Sequence, residues 1–404
     1  MSKREESLPR VNEQLPWLLR LALSRIGRLR YGRVEVLLPD GQLREVEGEM
    51  PGPSATLRLC GPRAMSRVLT GGELGFAEGF MNGDWDTPDL ANLIYLLHLN
   101  EAYLVPQVPG VTRLARAWSG WRHRRRRNTR RGSRRNIAYH YDLGNDFYGL
   151  WLDDTWTYSS AVFDTPETDL AEAQRRKYQL LLDRLEVGPG DHILEIGCGW
   201  GGFARYAAQA ADVRVTGITL STEQLAFARE RTSEAGLDDR VDFRLQDYRD
   251  VRGQFDAVAS IEMYEAVGED YWPSYFRAIQ RALKPGGRAA IQGITIDHAQ
   301  FPSYRDEVDF IQRYIFPGGM LASPEIFERQ ARAQGLTPSD ARFYGSHYAE
   351  TLCRWHQGTW AARQAIRQQF DDRFLRMWRY YLAYCEAGFR SGNIDLMQIT
   401  LQRA

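Results

Sequence analysis

The stretch of residues 191–203 reads DHILEIGCGWGGF and constrains the fold more than any other part of the sequence. An apolar run ends near Glu195, and glycines then follow at alternate positions, Gly197, Gly199 and Gly201, before a helical stretch. Glycine lets a backbone turn sharply and approach a ligand closely, and the free N–H groups at a helix start can receive an anionic group. We therefore predict a strand, a ligand-binding loop and a helix; glycines that merely shape a tight turn are the alternative.

Four more strand-like segments follow this loop, with helical stretches between them, at residues 214–218, 241–245, 255–260 and 288–292. Strands that alternate with helices are typical of βαβ units, in which helices cover both faces of a parallel sheet. The sequence therefore predicts an α/β fold with a Rossmann-like sheet. Because 404 residues are too many for one ordinary core, we also expect a second domain.

Residues 1–105 are predicted to form this second, smaller domain, which has mixed α and β structure. Their patterns indicate strands at residues 33–38, 42–46 and 56–59 and helices at residues 15–26 and 89–99. The turn at residues 39–41 (PDG) joins the first two strands into a hairpin, and Asp89 is well placed to begin its helix. The apolar face of the helix at residues 15–26 fits either packing on its own domain or binding at a membrane surface.

Residues 106–136 are predicted to be a linker with an unusual charge. Within it, residues 118–135 read WSGWRHRRRRNTRRGSRR, which contains nine arginines and no acidic residue. Anionic phospholipid headgroups attract such segments, and tryptophan favours the headgroup level of a membrane. We predict contact with an anionic membrane surface. A solvated linker and an RNA-binding segment are the alternatives, and no nucleic acid is expected as the partner.

Two features of the glycine loop favour S-adenosylmethionine over a nicotinamide or flavin dinucleotide. The spacing GCGWGG differs from the dinucleotide pattern G-x-G-x-x-G, and Glu195 stands two positions before the first glycine. The second strand ends without the acidic residue of a nicotinamide enzyme, while Thr219 and Gln224 offer polar groups to a ribose or a methionine. Gln246 and Asp247, after the third strand, can hydrogen-bond an adenine. We predict that S-adenosylmethionine is the cofactor.

The cysteines and the apolar runs bear on metal binding and location. The four cysteines are scattered without metal-site spacing, so we expect no metal and a reducing cytoplasm. No apolar run approaches the roughly 20 residues that cross a bilayer, and residues 1–14 lack the apolar region of a signal peptide. We expect a cytoplasmic protein, peripheral on the inner face of the membrane; a homodimer is left open.

Longer motifs extend over nearly all of residues 137–404. They read YHYDLGNDF, YSSAVF, LEIGCGWGGFA, GITLSTEQ, LQDYRD, EMYEAVG, RYIFPGG and WRYYLAYCEAGF. This set resembles the cyclopropane-fatty-acyl-phospholipid synthase family, which includes the mycolic acid cyclopropane synthases. FAEGFMNGDW, before the linker, resembles the family's smaller lipid-associated domain more weakly. The resemblance implies a lipid-associated domain at residues 1–105, the basic linker at 106–136 and a class I methyltransferase domain at 137–404.

The resemblance also implies which residues hold the catalytic base, expected in this family to be a bound bicarbonate. The residues that would bind it are Glu265, Tyr348 and the backbone of Ile294. Ser160 and Gln292 stand where the family has cysteine and histidine, and they are predicted to belong to the same site. These two departures leave the placing of the base open.

Further residues follow from the same motifs. Tyr158 and Ser159, in YSSAVF, are implied to contact the cofactor, and His140 is expected near it. Ala266 replaces the histidine that the family pattern has after its glutamate.

The implied reaction transfers a methyl group from S-adenosylmethionine to the double bond of an unsaturated acyl chain in a membrane phospholipid, and it gives a cyclopropane. A methyl- or methylene-branched chain is the alternative product, because the departures lie at the base site. Methylation of another unsaturated metabolite is a second alternative, since fold alone does not determine function. A non-catalytic lipid-binding protein is the third.

Overall fold

The computed structural model describes residues 17–61, 63–104 and 143–404, which form two compact units. One unit combines the described residues up to position 104 with Phe370–Ala387. The other contains the described residues from position 143 to Gln369 together with Gly388–Ala404. The predicted basic linker and His140 lie outside the described residues. Within the three described ranges, no helix is both long enough and apolar enough to cross a membrane.

The N-terminal unit is built on a four-stranded sheet with the strand order β2-β1-β3-β4. Its elements are α1 (Trp17–Ile26), β1 (Tyr31–Leu37), β2 (Leu43–Glu47), β3 (Met50–Leu59), α2 (Arg63–Met81), β4 (Trp85–Asp86), α3 (Leu90–Leu99) and α4 (Glu101–Leu104). The predicted hairpin is confirmed, because β1 and β2 pair antiparallel. The predicted start of α3 is also confirmed, because the Asp89 carboxylate accepts a 3.0 Å hydrogen bond from the Asn92 N–H.

The second unit continues the chain with helices and strands in alternation. Its first elements are α5 (Asn145–Tyr148), α6 (Leu170–Leu185), β5 (His192–Ile196), α7 (Gly202–Ala211), β6 (Arg214–Thr219), α8 (Thr222–Glu234), β7 (Val241–Leu245), β8 (Phe255–Ile261) and α9 (Trp272–Ala282). Then come β9 (Leu283–Ile296), α10 (Phe301–Asp306), α11 (Pro324–Ala333), β10 (Leu336–Phe343), α12 (Gly345–Ala361), α13 (Arg363–Gln369) and, at the end, β11 (Ile394–Arg403). Between α13 and β11 lies α14 (Asp372–Ser391), most of which belongs to the N-terminal unit. All five predicted strands of this unit are present.

The sheet of the second unit has seven strands in the order β10-β11-β9-β8-β5-β6-β7. The pairs among β9, β8, β5, β6 and β7 are parallel, and β11 pairs antiparallel with both β9 and β10. Ile193 and Leu194, which are consecutive in β5, are buried in two different apolar clusters. Because consecutive side chains of a strand point to opposite faces, both faces of the sheet are covered, and the predicted α/β class is confirmed.

One segment differs from the predicted domain boundaries. The sequence assigns residues 137–404 to one domain, whereas Phe370–Ala387 packs within the N-terminal unit. Arg376 explains this packing, because it donates a 2.9 Å hydrogen bond to the Trp85 carbonyl and lies 4.1 Å from the centre of the Phe80 ring. Both partners belong to the FAEGFMNGDW motif. Local sequence patterns do not show that a segment late in the sequence packs with residues near its beginning.

Candidate active site

A pocket opens where the glycine loop leaves β5 and where β6 ends. It is lined by most of the predicted cofactor residues, namely Tyr158, Ser159, Glu195, Gly197, Gly199, Thr219, Gln224 and Gln246. Parallel sheets bind ligands at the carboxyl ends of their strands, and the loops after β5 and β6 lie at these ends. The structure therefore brings these predicted residues together in a ligand-binding position.

The two remaining cofactor predictions, Gly201 and Asp247, are not among the residues that line the pocket. A Cβ atom on Gly201 would lie 2.5 Å from the Phe243 ring, so this glycine permits close packing of α7 against the sheet. The Asp247 carboxylate accepts hydrogen bonds of 2.8 and 2.6 Å from the Arg249 guanidinium. Cofactor contacts by Gly201 and Asp247 stay predictions.

Glu195 gives the pocket an acceptor suited to a ligand hydroxyl group. The residue is 2% exposed, and its Oε2 atom has no hydrogen-bond partner within the described part of the chain. Burial raises the pKa of this carboxyl group to about 8. A buried acceptor without a partner costs free energy, and the ribose hydroxyls of S-adenosylmethionine would satisfy it. The residues present therefore fit the predicted cofactor.

The predicted base-site residues fall into two groups, each gathered around one glutamate. In the first group, the Ser160 N–H and the Gln292 amide each donate a 2.8 Å hydrogen bond to Oε1 of Glu262. The Tyr348 hydroxyl donates a 2.6 Å hydrogen bond to Oε2 of the same carboxylate. In the second group, the backbone N–H of Ile294 donates to Oε1 of Glu265. The structure thus divides the five predicted residues between two glutamates, and one of these, Glu262, was not predicted.

Glu262 is a site residue that the sequence reasoning missed. It lines the cofactor pocket beside Met263 and Ala266. In the motif EMYEAVG it occupies the position where the family pattern G-M-[FY]-E-H-V-G has its first glycine. Its backbone keeps a glycine-like conformation, with φ of +50°. The replacement of that glycine by an acidic residue is the signal that could have identified it.

The two glutamates have different groups around them that shift their pKa values. Burial raises the pKa of Glu262, while the Tyr348 hydrogen bond and the charge of Lys177 lower it. Burial and, to a smaller extent, the nearby Glu262 charge raise the pKa of Glu265 to about 8. Lys177 is fully buried, donates a 2.7 Å hydrogen bond to Ser159 Oγ, and has its pKa lowered by burial to about 7. Glu262 is therefore the glutamate of the two whose ionised form has a hydrogen-bonding hydroxyl and a nearby cation to stabilise it.

Comparison with known proteins gives a consistent answer about the family. A family model described as mycolic acid cyclopropane synthetase matches residues 128–399. Tuberculostearic acid methyltransferase UfaA1 of Mycobacterium tuberculosis is 44% identical over 85% of this chain and 82% of its own length. The cyclopropane-fatty-acyl-phospholipid synthase of Escherichia coli K12 is 35% identical over 91% of this chain and 96% of its own length.

Solved structures agree with these relatives. The cyclopropane synthase MmaA2 from Mycobacterium tuberculosis superposes with a TM-score of 0.63 at 31% identity, over 67% of this chain and 98% of that protein. Mycolic acid cyclopropane synthase CmaA1, complexed with S-adenosylhomocysteine and CTAB, gives the same TM-score at 30% identity, with the same coverage of both chains.

Proposed function

Because the chain belongs to the mycolic acid cyclopropane synthetase family of S-adenosylmethionine-dependent methyltransferases, we propose that it methylates the double bond of an unsaturated acyl chain in a membrane phospholipid. The E. coli relative, which extends over nearly the whole chain, supports a phospholipid as the substrate. The basic segment at residues 118–135 supports an anionic membrane surface as the place of reaction. The enzyme then works on the inner face of the membrane.

The observation that carries this proposal is the position of a partly buried carboxylate on the wall of the cofactor pocket. Glu262 lines that wall together with the apolar side chains of Ile261, Met263 and Ala266. An apolar wall suits a hydrocarbon chain, and a carboxylate beside it can accept a proton. Alkene methylation needs both, since an alkene has no acidic proton to lose before the methyl group arrives.

The cofactor supplies an electrophilic methyl group, which makes a weakly nucleophilic double bond reactive. The protein holds the two reactants in line and excludes water from the cation that forms on the acyl chain. Tyr158, which lines the pocket, lies with its ring centre 5.1 Å from that of the buried Trp355. Ring faces of this kind stabilise a nearby cation. Loss of a proton then completes the reaction.

Two products are consistent with this chemistry. A methyl- or methylene-branched unsaturated chain is our first candidate, because the relative at 44% identity is named as a methyltransferase and not as a cyclopropane synthase. The departures at the base site, Glu262, Gln292 and Ser160, point the same way. The cyclopropane predicted from the sequence is the second candidate, and the E. coli relative supports it.

Product analysis tests the proposal. The protein is incubated with labelled S-adenosylmethionine and vesicles of unsaturated phospholipid, and the acyl chains are then examined by proton NMR. Ring protons of a cyclopropane are strongly shielded, whereas a methylene branch keeps olefinic signals. Labelled lipid with olefinic signals supports the first candidate, and shielded ring protons support the second. Absence of labelled lipid would contradict the proposed substrate.

A further inference from the structure

Glu262 has a backbone conformation that is unfavourable for its side chain. Its φ of +50° lies in the left-handed region, which residues other than glycine rarely adopt. Such strain persists only where surrounding structure enforces it, and it concentrates at functional sites. Glu262 adopts this conformation where it lines the cofactor pocket.

The surroundings of Glu262 form a complete binding site for an anion. Its carboxylate accepts from the Ser160 N–H, the Gln292 amide and the Tyr348 hydroxyl, at 2.8, 2.8 and 2.6 Å. Ser160 and Gln292 are fully buried, and Tyr348 is 6% exposed. Hydrogen bonds to an ionised acceptor are the strong ones. Three donors held in place by buried elements therefore stabilise the ionised form of the carboxylate and fix its direction.

Tyr348 is one of the residues that the family resemblance implies for holding a bound bicarbonate, and Ser160 and Gln292 are predicted to belong to the same site. In the structure they hold a carboxylate that belongs to the chain itself. A second small acid on the same donors would have to displace Glu262 and would leave its charge buried without partners, which is costly. The chain therefore carries its own substitute for that ion.

We propose that Glu262 is the catalytic base, a role that rests on the proposed methylation of a lipid double bond. The sulfur–methyl bond of the cofactor breaks, and the electron pair of the double bond forms the new carbon–methyl bond. The neighbouring chain carbon becomes a cation. The Glu262 carboxylate then takes a proton from the methyl carbon, and the released C–H electron pair forms either the ring bond or, after a hydride shift, a carbon–carbon double bond. Solvent removes the proton from Glu262 before the next turnover.

Two substitutions separate the carboxylate's chemistry from its shape. Glu262→Gln keeps the size of the side chain but cannot accept the proton, so we expect kcat to fall by about 100-fold or more. Glu262→Gly relieves the strained backbone and leaves a space beside the three donors. This variant should be equally slow in carbon dioxide-free buffer and should recover turnover when formate or bicarbonate is added. Both variants should bind S-adenosylhomocysteine with a Kd within threefold of the parent, which shows that they fold.

The chain offers a matched control in Glu186. This residue has the same φ of +50° but lies at the surface, where its side chain is 61% exposed. Glu186→Gln and Glu186→Gly should turn over like the parent, with or without added formate. The parent itself should be indifferent to bicarbonate. Undiminished turnover by Glu262→Gln, or a parent that requires bicarbonate, would overturn the assignment.

A binding measurement keeps this inference separate from the proposed function. If the parent methylates no unsaturated phospholipid, the proposed function fails, and Glu262 is then judged from titration with ¹³C-labelled bicarbonate observed by NMR. Glu262→Gly should bind the ion, whereas the parent and the Glu186→Gly control should not. Binding by the parent, or no binding by Glu262→Gly, contradicts the proposal whatever the substrate is.

Discussion

Gln398 donates a 2.8 Å hydrogen bond from its side-chain amide to Oε1 of Gln292. The Oε1 atom of Gln398 accepts in turn from Nε of Arg184, at 3.4 Å. An arginine side chain can only donate, so the direction of each amide along this buried chain is determined. The NH₂ group of Gln292 must therefore point to Glu262. Gln292 stands where the family has histidine. It is thus the last donor in a series of hydrogen bonds that begins at Arg184 and ends at Glu262.

Loss of Gln398 should slow catalysis without affecting cofactor binding. Gln398→Leu removes the group that orients Gln292 and leaves a buried amide oxygen without a donor, which costs about 1–3 kcal/mol. We expect kcat to fall by about tenfold, while the Kd for S-adenosylhomocysteine stays within twofold. Gln402→Leu, at an exposed position of the same strand β11, is the control and should behave as the parent. Equal kcat values for the two variants would show that the hydrogen bonds from Arg184 through Gln398 to Gln292 have no role in catalysis.

Removal of the Tyr348 hydroxyl should lower turnover, because this hydroxyl helps to hold the Glu262 carboxylate in place. The Tyr348 ring stacks on Phe389 with 4.4 Å between ring centres, and Tyr348→Phe preserves that packing. The carboxylate loses its shortest hydrogen bond, so we expect kcat to fall by about 10- to 100-fold with little change in KM for S-adenosylmethionine. Tyr206→Phe, which removes a hydroxyl bonded to Gln179, is the matched control. A kcat within twofold of the parent would exclude Tyr348 from the base site.

Much of the second unit could be predicted because its signals are local. Apolar runs and glycines at 191–203 predict β5, the loop and α7 without any knowledge of distant contacts. β11 is different, because strand direction is not encoded in the periodicity of a strand, and this strand runs against its neighbours. β10 is mostly exposed and contains Pro338, so its pattern is weak.

The base site shows the same division between local and distant information. Glu265 and Tyr348 could be predicted from the motifs around them. The role of Glu262 depends on Ser160, Gln292 and Tyr348, which are 102, 30 and 86 positions away in the sequence. Only the folded sheet brings these donors to one carboxylate. The glutamate in place of a glycine marks the position but does not reveal its partners.

The glycine loop should lose cofactor binding when a negative side chain enters it. Gly199 lines the pocket with φ of +51°, and no atom lies within 4 Å of the place that its Cβ would occupy. Gly199→Asp therefore projects a carboxylate into the cofactor's space, and we expect at least about tenfold weaker binding of S-adenosylhomocysteine in calorimetry. Gly236→Asp carries similar backbone strain, with φ of +65°, outside the pocket. The assignment fails if both variants bind with the parent's affinity.

The arginine-rich segment should determine affinity for anionic membranes. Replacement of the nine arginines between Arg122 and Arg135 by glutamine removes attraction of about 1 kcal/mol per residue near such a surface. Vesicle flotation at two salt concentrations should show weaker binding and a smaller salt dependence than in the parent. Vesicles of neutral lipid provide the control. Unchanged flotation combined with loss of RNA binding would favour the nucleic-acid alternative.

Glu265 should make the stability of the protein fall as the pH rises. Burial and the Glu262 charge raise the pKa of Glu265 from 4.5 to about 8 in the folded state. A group whose pKa is raised on folding contributes stability below its unfolded pKa and loses that contribution as the pH rises through the folded pKa. Between pH 5 and 8.5 the parent should therefore lose free energy of unfolding, on the order of a few kcal/mol, relative to Glu265→Gln, which stays neutral. Urea unfolding at several pH values measures the difference, with the exposed Glu186→Gln as the control. A constant difference between the parent and Glu265→Gln over this range would mean that Glu265 is already ionised in the folded protein.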